Sequence, residues 1–426
     1  MKYKRYNSFL LLVSMILITI FLFFPFPQYT SGFELSNNQA KNDENPNINL
    51  FMNEHLTQYY VSTQGSDNNP GTEASPWKTI QKAANTIKAG DTVYIRGGVY
   101  NERVVLKTSG SQDKYITFTN YPGEAVTIDG TGIDWGYDWN SLININRQSY
   151  IILSGLNVKN SRWFGIGSTP DDNGSDDIII KNCSTYNTKG AGIIFTHASN
   201  ITIDGNSVEQ ACTGSKSTQE AISLNNVATF EIKNNHVFNI TNSISGAGGE
   251  GIDAKDGCSN GKIYNNTVND IPNKIGIYVD AYSRHQYKID VFGNKVFNCR
   301  QGIVVATERN GFLENVSIYV NTVYNCKNWG MSVSGYNNGY NSEMKNIFIN
   351  NNTIYNSVYG NIYLSNKEAQ NVVIDNNILG IKLSSIPILI NSGNLNEIKL
   401  TNNLVVYNNT VFESNLPIVI SSKETN

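Results

Sequence analysis

One short pattern limits what this chain can become. It runs aliphatic, two residues, asparagine, one residue, aliphatic, and it appears as IDGNSV, IKNNHV, IYNNTV, VFGNKV, IYVNTV, INNNTI, IDNNIL and LTNNLV. The fourth-place residues are Asn206, Asn235, Asn266, Asn294, Asn321, Asn352, Asn377 and Asn403, separated by 29, 31, 28, 27, 31, 25 and 26 residues. An earlier copy carries Cys183 in the same place. The period is too short for two helices and their turns, and the segments are β-branched and aromatic. It leaves room for three short strands and three turns per repeat. One repeat cannot bury its apolar side alone, so repeats must stack and share a core.

A right-handed parallel β-helix of about ten rungs meets these demands, giving an all-β solenoid. Neighbouring rungs would lie about 4.8 Å apart, the spacing of hydrogen-bonded strands. Equivalent residues then form columns along the axis. The asparagine column reads as a ladder of stacked amides at a tight bend, where asparagine also tolerates a left-handed backbone. A second polar column follows four residues on: Asn187, Asn239, Asp270, Asn298, Asn325 and Asn356. Cys299 and Cys326 form the next, and stacked thiols fit that spacing better than a strained disulfide between adjacent strands.

The segment SPWKTIQKAANTIKAG predicts a helix with Ser75 as N-cap, Pro76 at the first position and Gly90 past the end. Ile80, Ala83, Ala84 and Ile87 fall on one face, which suits a helix covering the open end of a solenoid. Strands are expected in TVYIRGGVY, YITFTNY and AVTIDG. The domain reading is residues 1–32 as leader, 33–57 as polar linker, and 58–426 as one β-helix domain. Within the last, 58–130 supply the cap and first rungs and 131–426 the repeats.

The leader has Lys2, Lys4 and Arg5 before an almost wholly apolar run from Phe9 to Phe26, with small residues Thr30 and Gly32 before Phe33. It reads either as a cleaved signal peptide or as an N-terminal anchor. Removing its three positive charges would take the formal charge from -3 to -6. Either reading places the protein outside the cell or at its surface. The acidic balance and the lack of a basic run argue against a nucleic-acid partner. Five cysteines do not form an even disulfide framework and read as small buried apolar groups. The expected state is a monomer.

The stretch YYVSTQGSDNNPGTEASPWKTIQKAANTIKAGDTVYIRGGVYNE, Tyr59 to Glu102, resembles the opening of many secreted β-helix proteins of the pectate-lyase-like superfamily. With the repeats, the resemblance covers roughly residues 58 to 410. It implies a carbohydrate-active solenoid, since that group includes polysaccharide lyases and some glycosidases. No catalytic motif of the family carries over residue by residue.

Candidate chemistry comes from aligning the segments GIIFT, AISLN, GIDAK, GIYVD, GIVVA and GMSVS. Their second and fourth positions are apolar in every rung and point into the core. The third and fifth point outward, which places Asp253 and Lys255 on one outer face with Asp280 beside Lys255 on the next rung. Glu220 and Glu250 stack one place before the segment. Asp256, Arg284, His285, Glu308 and Arg309 lie just beyond the strands. Outward charges on a sheet are commonly solvated, and their salt bridges contribute about 0 to 1 kcal/mol. The concentration of charge in four central rungs favours a site instead. Stacked carboxylates repel, which raises a pKa or recruits a cation.

Three functions follow as alternatives. A polysaccharide lyase would use Lys255 as base, with Arg284 or Arg309 assisting. A calcium ion on Asp253, Asp256 and Asp280 would offset the acidic charge. A glycoside hydrolase would use paired carboxylates such as Asp253 and Asp280. A non-catalytic glycan-binding or envelope protein needs neither. The lyase is the leading expectation, with Lys255, Asp253, Asp280 and Arg284 as catalytic residues. Substrate contacts are expected from Glu220, Glu250, Tyr278, Tyr282, His285, Glu308, Arg309 and Trp329. Trp163, Tyr336 and Tyr340 are further aromatic candidates. The acidic stretch DDNGSDD, Asp171 to Asp177, lacks full calcium-loop spacing and reads as a turn between rungs.

Overall fold

The structure is a computed structural model that describes residues 57–136, 138–168, 174–214, 219–241, 248–335, 342–382, 385–391, 397–407, 410–412 and 419–420. The leader, nearly all of the linker, and Tyr336 and Tyr340 lie outside the described residues. Among the described residues no helix is long and apolar enough to cross a membrane.

The chain from His55 onward is an all-β right-handed solenoid of about ten turns, with a short helix, α1 (Ile80–Thr86), near its start. Pairing between rungs is parallel. One sheet of thirteen strands runs down one face, from Gln58–Val61 to Ile398–Thr401. The remaining rung strands build two more parallel faces. The face that matters here contains β1 (Phe164–Gly167), β2 (Ile193–Thr196), β3 (Ile222–Asn225), β4 (Ile252–Lys255), β5 (Thr267–Ala281), β6 (Lys295–Thr307) and β7 (Trp329–Gly335). Two of these, β5 and β6, run on through a bend and join the two faces, with a register break between Ile271 and Ile275.

The core is a stack of aliphatic side chains. Ile193, Ile222, Ile252, Ile277 and Ile303 are register partners on successive rungs, and all are fully buried. Each is held between apolar neighbours on adjacent rungs, so trimming one leaves a cavity that the stack cannot close, at a cost of about 2 to 5 kcal/mol for isoleucine to alanine.

The asparagine ladder is continuous. Asn206 Nδ2 donates to Asn235 Oδ1 at 3.0 Å, and the same contact repeats from Asn235 to Asn266, Asn294, Asn321 and Asn352 at 3.0 Å each. Asn377 and Asn403 continue it, and Cys183 joins at the other end by donating its N–H to Asn206 Oδ1. The left-handed backbone is not on the ladder itself. It falls one residue earlier, at Gly205, Asn234, Asn265, Gly293, Val320, Asn351, Asn376 and Asn402, and again on the second polar column. The ladder asparagines are therefore selected for hydrogen bonding rather than for backbone tolerance.

The helix starts later than its sequence suggests. Ser75 and Pro76 precede an extended stretch in which Trp77 bridges Val61 and is buried. Thr79 is the N-cap, and its side chain accepts from Lys82 N. Asp67 takes the N–H groups of Lys78 and Thr79, and Glu102 takes those of Ile80 and Gln81. Tertiary docking of Trp77 thus displaces the local capping signal. Ile80, Ala83 and Ala84 face the core as expected. All five cysteines are free thiols and buried, and burial pushes Cys183, Cys258 and Cys326 up to about 12.

Candidate active site

Register brings the central charges together. Asp253 pairs with Tyr278 and Lys255 with Asp280 across β4 and β5. Ser223 and Asn225 of β3 flank them on the preceding rung. These side chains point away from the core, yet they are not solvated: Asp253 is 2% exposed, Glu220 3% and Asp280 5%. They line a pocket of about 320 Å³ with Asn225, Glu250, Lys255, Asp256, Tyr278, Tyr282 and Glu308. The outer face of the sheet is covered rather than open. Ile275, Tyr278, Val304 and Ala306 form a small apolar cluster there, which also accounts for much of the burial of Tyr278.

Lys255 does not reach forward to Asp280. It turns back one rung, and its Nζ sits 2.6 Å from both Oε1 and Oε2 of Glu220. Ser223 Oγ donates to the same carboxylate at 2.6 Å. Burial opposes the ammonium, but Glu220, Asp253 and Glu250 outweigh it and raise the pKa of Lys255. A lysine base needs the reverse.

The remaining carboxyls show the cost of crowding acids away from water. Burial, then Glu220, pushes Glu250 up to about 7, against the pull of Lys274 at 3.9 Å. Burial, then Glu220, holds Asp253 well above the usual carboxylate range. Burial, then Glu308, does the same for Asp280. Asp253 Oδ1, Asp280 Oδ1 and Glu250 Oε2 are buried without a hydrogen-bond partner among the described residues. A buried carboxyl with an unpartnered oxygen favours its protonated form.

Asp256 has a structural task. Its Oδ1 accepts from Ser283 N, Ser283 Oγ and Arg284 N, and its Oδ2 pairs with Arg284 Nη1 at 3.1 Å. These contacts tie Arg284 to the turn after β5. Among the described residues no group of three or more His, Cys, Asp or Glu is placed to hold a metal ion.

Other expected residues lie apart. His285 belongs to the opposite sheet, where it pairs with Glu314 at 3.0 Å and stacks on Phe312. Trp329 stacks on Tyr363 at 4.9 Å and is buried, a packing role. Arg309 sits 5.0 Å over the ring of Tyr282. Tyr278 Oη donates to Glu308 Oε1 at 3.2 Å. Asp176 and Asp177 open the strand Asp176–Lys181, where Asp176 Oδ1 accepts from Ser199 N and Oγ and Asp177 Oδ1 from Asn200, while Asp171 and Asp172 lie outside the described residues. Lys274 was missed by sequence reasoning because it lies in the register break, where no repeat pattern marks it.

Residues 59–268 match the family model described as Pel9A-like, right handed beta helix region, a span that includes Asp253, Lys255 and Asp256. Over those residues the chain is similar to that β-helix family. Uncharacterized protein YwoF of Bacillus subtilis (strain 168) is 32% identical over 306 residues, covering 65% of this chain and 64% of YwoF. The chain thus matches somewhat less than two thirds of that relative's length. Two solved structures share the fold. Pectate lyase Pel9A is 12% identical with a TM-score of 0.51, covering 82% of this chain and 79% of its own. PfbA, a surface adhesin of Streptococcus pneumoniae, is 16% identical with a TM-score of 0.51, covering 80% and 88%. Those two likenesses establish architecture only.

Proposed function

We propose that the chain is a carbohydrate-active enzyme that works outside the cytoplasm and cleaves a polysaccharide in the pocket on β4 and β5. One observation carries the reading: buried carboxyls whose proton affinity is raised by burial and by each other's charge surround a lysine held against Glu220. That pattern suits cleavage by paired carboxyl groups. Asp253 and Asp280 are one rung and two positions apart, which strand geometry converts to about 8 Å between their Cα atoms. Inverting glycosidases place their carboxyl pairs roughly 6.5 to 9.5 Å apart, leaving room for the attacking water. Two close carboxyls titrate as a unit, so one keeps its proton as the acid while the other gives it up and serves as base. The ion pair with Glu220 keeps Lys255 positioned beside them and offsets part of the negative charge. Tyr278 and Tyr282 offer partly apolar surface to a sugar ring.

A second reading, a calcium-dependent lyase, is supported by the Pel9A-like match. In that reading the free oxygens of Asp253 and Asp280 are the calcium donors. An acidic glycan favours it only with a cation present, because the pocket lining carries six carboxyl side chains against the single Lys255.

The test is incubation of the purified protein with pectate, alginate and neutral glycans, with and without calcium, beside Asp253→Asn and Asp280→Asn. Saturated reducing-end products without calcium support the carboxylate pair. Unsaturated products that require calcium support the lyase. Activity untouched by both substitutions removes the pocket from the chemistry.

A further inference from the structure

We propose that a second cavity, nearer the start of the solenoid, is a glycan-binding groove that holds a length of the chain cleaved in the carboxylate pocket. This rests on the reading that the pocket acts on a polysaccharide. The cavity has a volume of about 1050 Å³, against about 320 Å³ for the pocket.

Its walls come from successive turns. Asp129 pairs with Lys159, Lys159 with Tyr186, and Tyr186 with Glu209, so Gly130, Asn160, Asn187 and the turn leading to Thr213 follow one another along the axis. Three steps of about 4.8 Å make the groove roughly 14 Å long. A polar rail lines it. Asn187 Nδ2 donates to Asn160 Oδ1 at 2.8 Å, and Asn160 Nδ2 donates to Asp129 Oδ1 and Thr131 Oγ1 at 3.0 Å each.

An aromatic wall faces the rail. Trp163 lies in the lining although only 7% of it is exposed, and the ring of Trp139, 36% exposed, is centred 5.9 Å away. Trp135 packs against the same cluster. The indole N–H groups of Trp163 and Trp135 are buried without an acceptor among the described residues. Arg162 is committed to Asp134 and Asp138, while Lys189 stands exposed with no ion pair among the described residues.

This combination selects a class of ligand. Amides and hydroxyls in a row suit sugar hydroxyls, and indole surface suits the C–H face of a sugar ring. A nucleic acid would need surplus cations, and the lining holds as many aspartates, Asp134 and Asp138, as cations, Arg162 and Lys189. An apolar ligand would strip water from the rail without replacing its hydrogen bonds.

Location links groove and pocket. Gly190 N donates to Trp163 O, and Gly249 N to Gln219 O, while Ala221 N donates to Glu250 O. The Trp163 column therefore runs one place before the column of Glu220 and Glu250 on the same sheet. Trp163 stands three rungs from Glu250, again about 14 Å.

The experiment is affinity electrophoresis of the full chain through gels containing pectate, alginate, xylan or β-glucan. Asp253→Asn is the background, so that cleavage does not interfere, and Trp163→Phe or Lys189→Ala is added. Trp163→Phe keeps apolar packing, and Lys189 is exposed, so thermal melting checks that both variants fold. At least one glycan is expected to retard the Asp253→Asn protein, and each added change to weaken its dissociation constant by about tenfold. Equal retardation in all variants, or none on any glycan, overturns the groove. If Asp253→Asn abolishes cleavage while binding ignores both groove changes, the groove fails and the pocket stands. If the groove changes weaken binding but wild-type protein cleaves nothing, the pocket reading fails and the groove stands.

Discussion

Lys255 Nζ lies 2.6 Å from both carboxylate oxygens of Glu220, one rung behind it, although its register partner on the next rung is Asp280. This backward ion pair fixes the electrostatics of the pocket. It places the one lining cation against one acid and leaves an oxygen of each of Asp253, Asp280 and Glu250 buried without a hydrogen-bond partner among the described residues.

Removing the ammonium should therefore be costly. Lys255→Met is expected to destabilise the protein by about 3 to 5 kcal/mol, the cost of leaving a buried carboxylate without its partner. The double change Lys255→Met with Glu220→Gln should recover much of that loss. Thermal or urea melts of the four proteins check this. Equal stability of Lys255→Met and wild type would mean that the pair is not closed in solution.

The raised carboxyls give stability a definite pH slope. Glu250 has an ordinary value of 4.5 and is pushed up to about 7 in the fold. Between these values the folded protein holds a proton that the unfolded chain has released. Its contribution is complete below about 4.5 and is lost as pH rises through about 7. Asp253 and Asp280, also raised, act in the same direction. The melting midpoint should fall from mildly acidic to mildly alkaline buffer, and Glu250→Gln should flatten the slope. A midpoint that rises with pH over this window would contradict the account.

The two asparagine columns should differ in energetic weight. Asn294 takes the N–H and Nδ2 of Asn266 and gives its own amide to Ile263 O and Asn321 Oδ1, all within the buried ladder. Asn294→Ala leaves several buried polar groups unpaired and should cost about 3 kcal/mol. Asn298 is exposed and bonds to Asp270, so Asn298→Ala should cost less than about 1 kcal/mol apart from its left-handed backbone. Urea denaturation of both variants makes the comparison, and equal losses would count against the ladder.

Ligand dependence separates the two chemistries. Asp253→Asn and Asp280→Asn should each lower turnover at least about a hundredfold if the pocket is catalytic, a typical contribution for an acid or base. Chelator treatment should leave that turnover unchanged for the carboxylate pair and abolish it for the lyase. Reducing-sugar and ultraviolet assays read both outcomes.

The columns were legible because parallel hydrogen bonding ties repeat to repeat. Once the asparagines were aligned, Asp253, Lys255 and Asp280 followed. The start of α1 was not legible, because Trp77 is drawn into the sheet by Tyr60 and Val61 from far outside the capping window. Burial of the outward charges was hidden for a related reason. A period of two tells which side chains leave the core but not what covers them afterwards. The partner of Lys255 was missed because column neighbours suggest Asp280, while four methylenes allow a diagonal reach to Glu220. His285 was misplaced because its nearness to Asp280 in sequence spans a corner between two sheets.

The protonated state of the pocket carries the functional reading, and infrared difference spectroscopy of the buried carboxyl stretch measures it directly. The expected spectrum shows protonated carboxyl in mildly acidic buffer, part of which titrates away as pH rises through about 7 and is missing in Glu250→Gln, with a further part missing in Asp253→Asn. A pocket whose carboxyls are all ionised well below that pH, with no band lost in either variant, would contradict it.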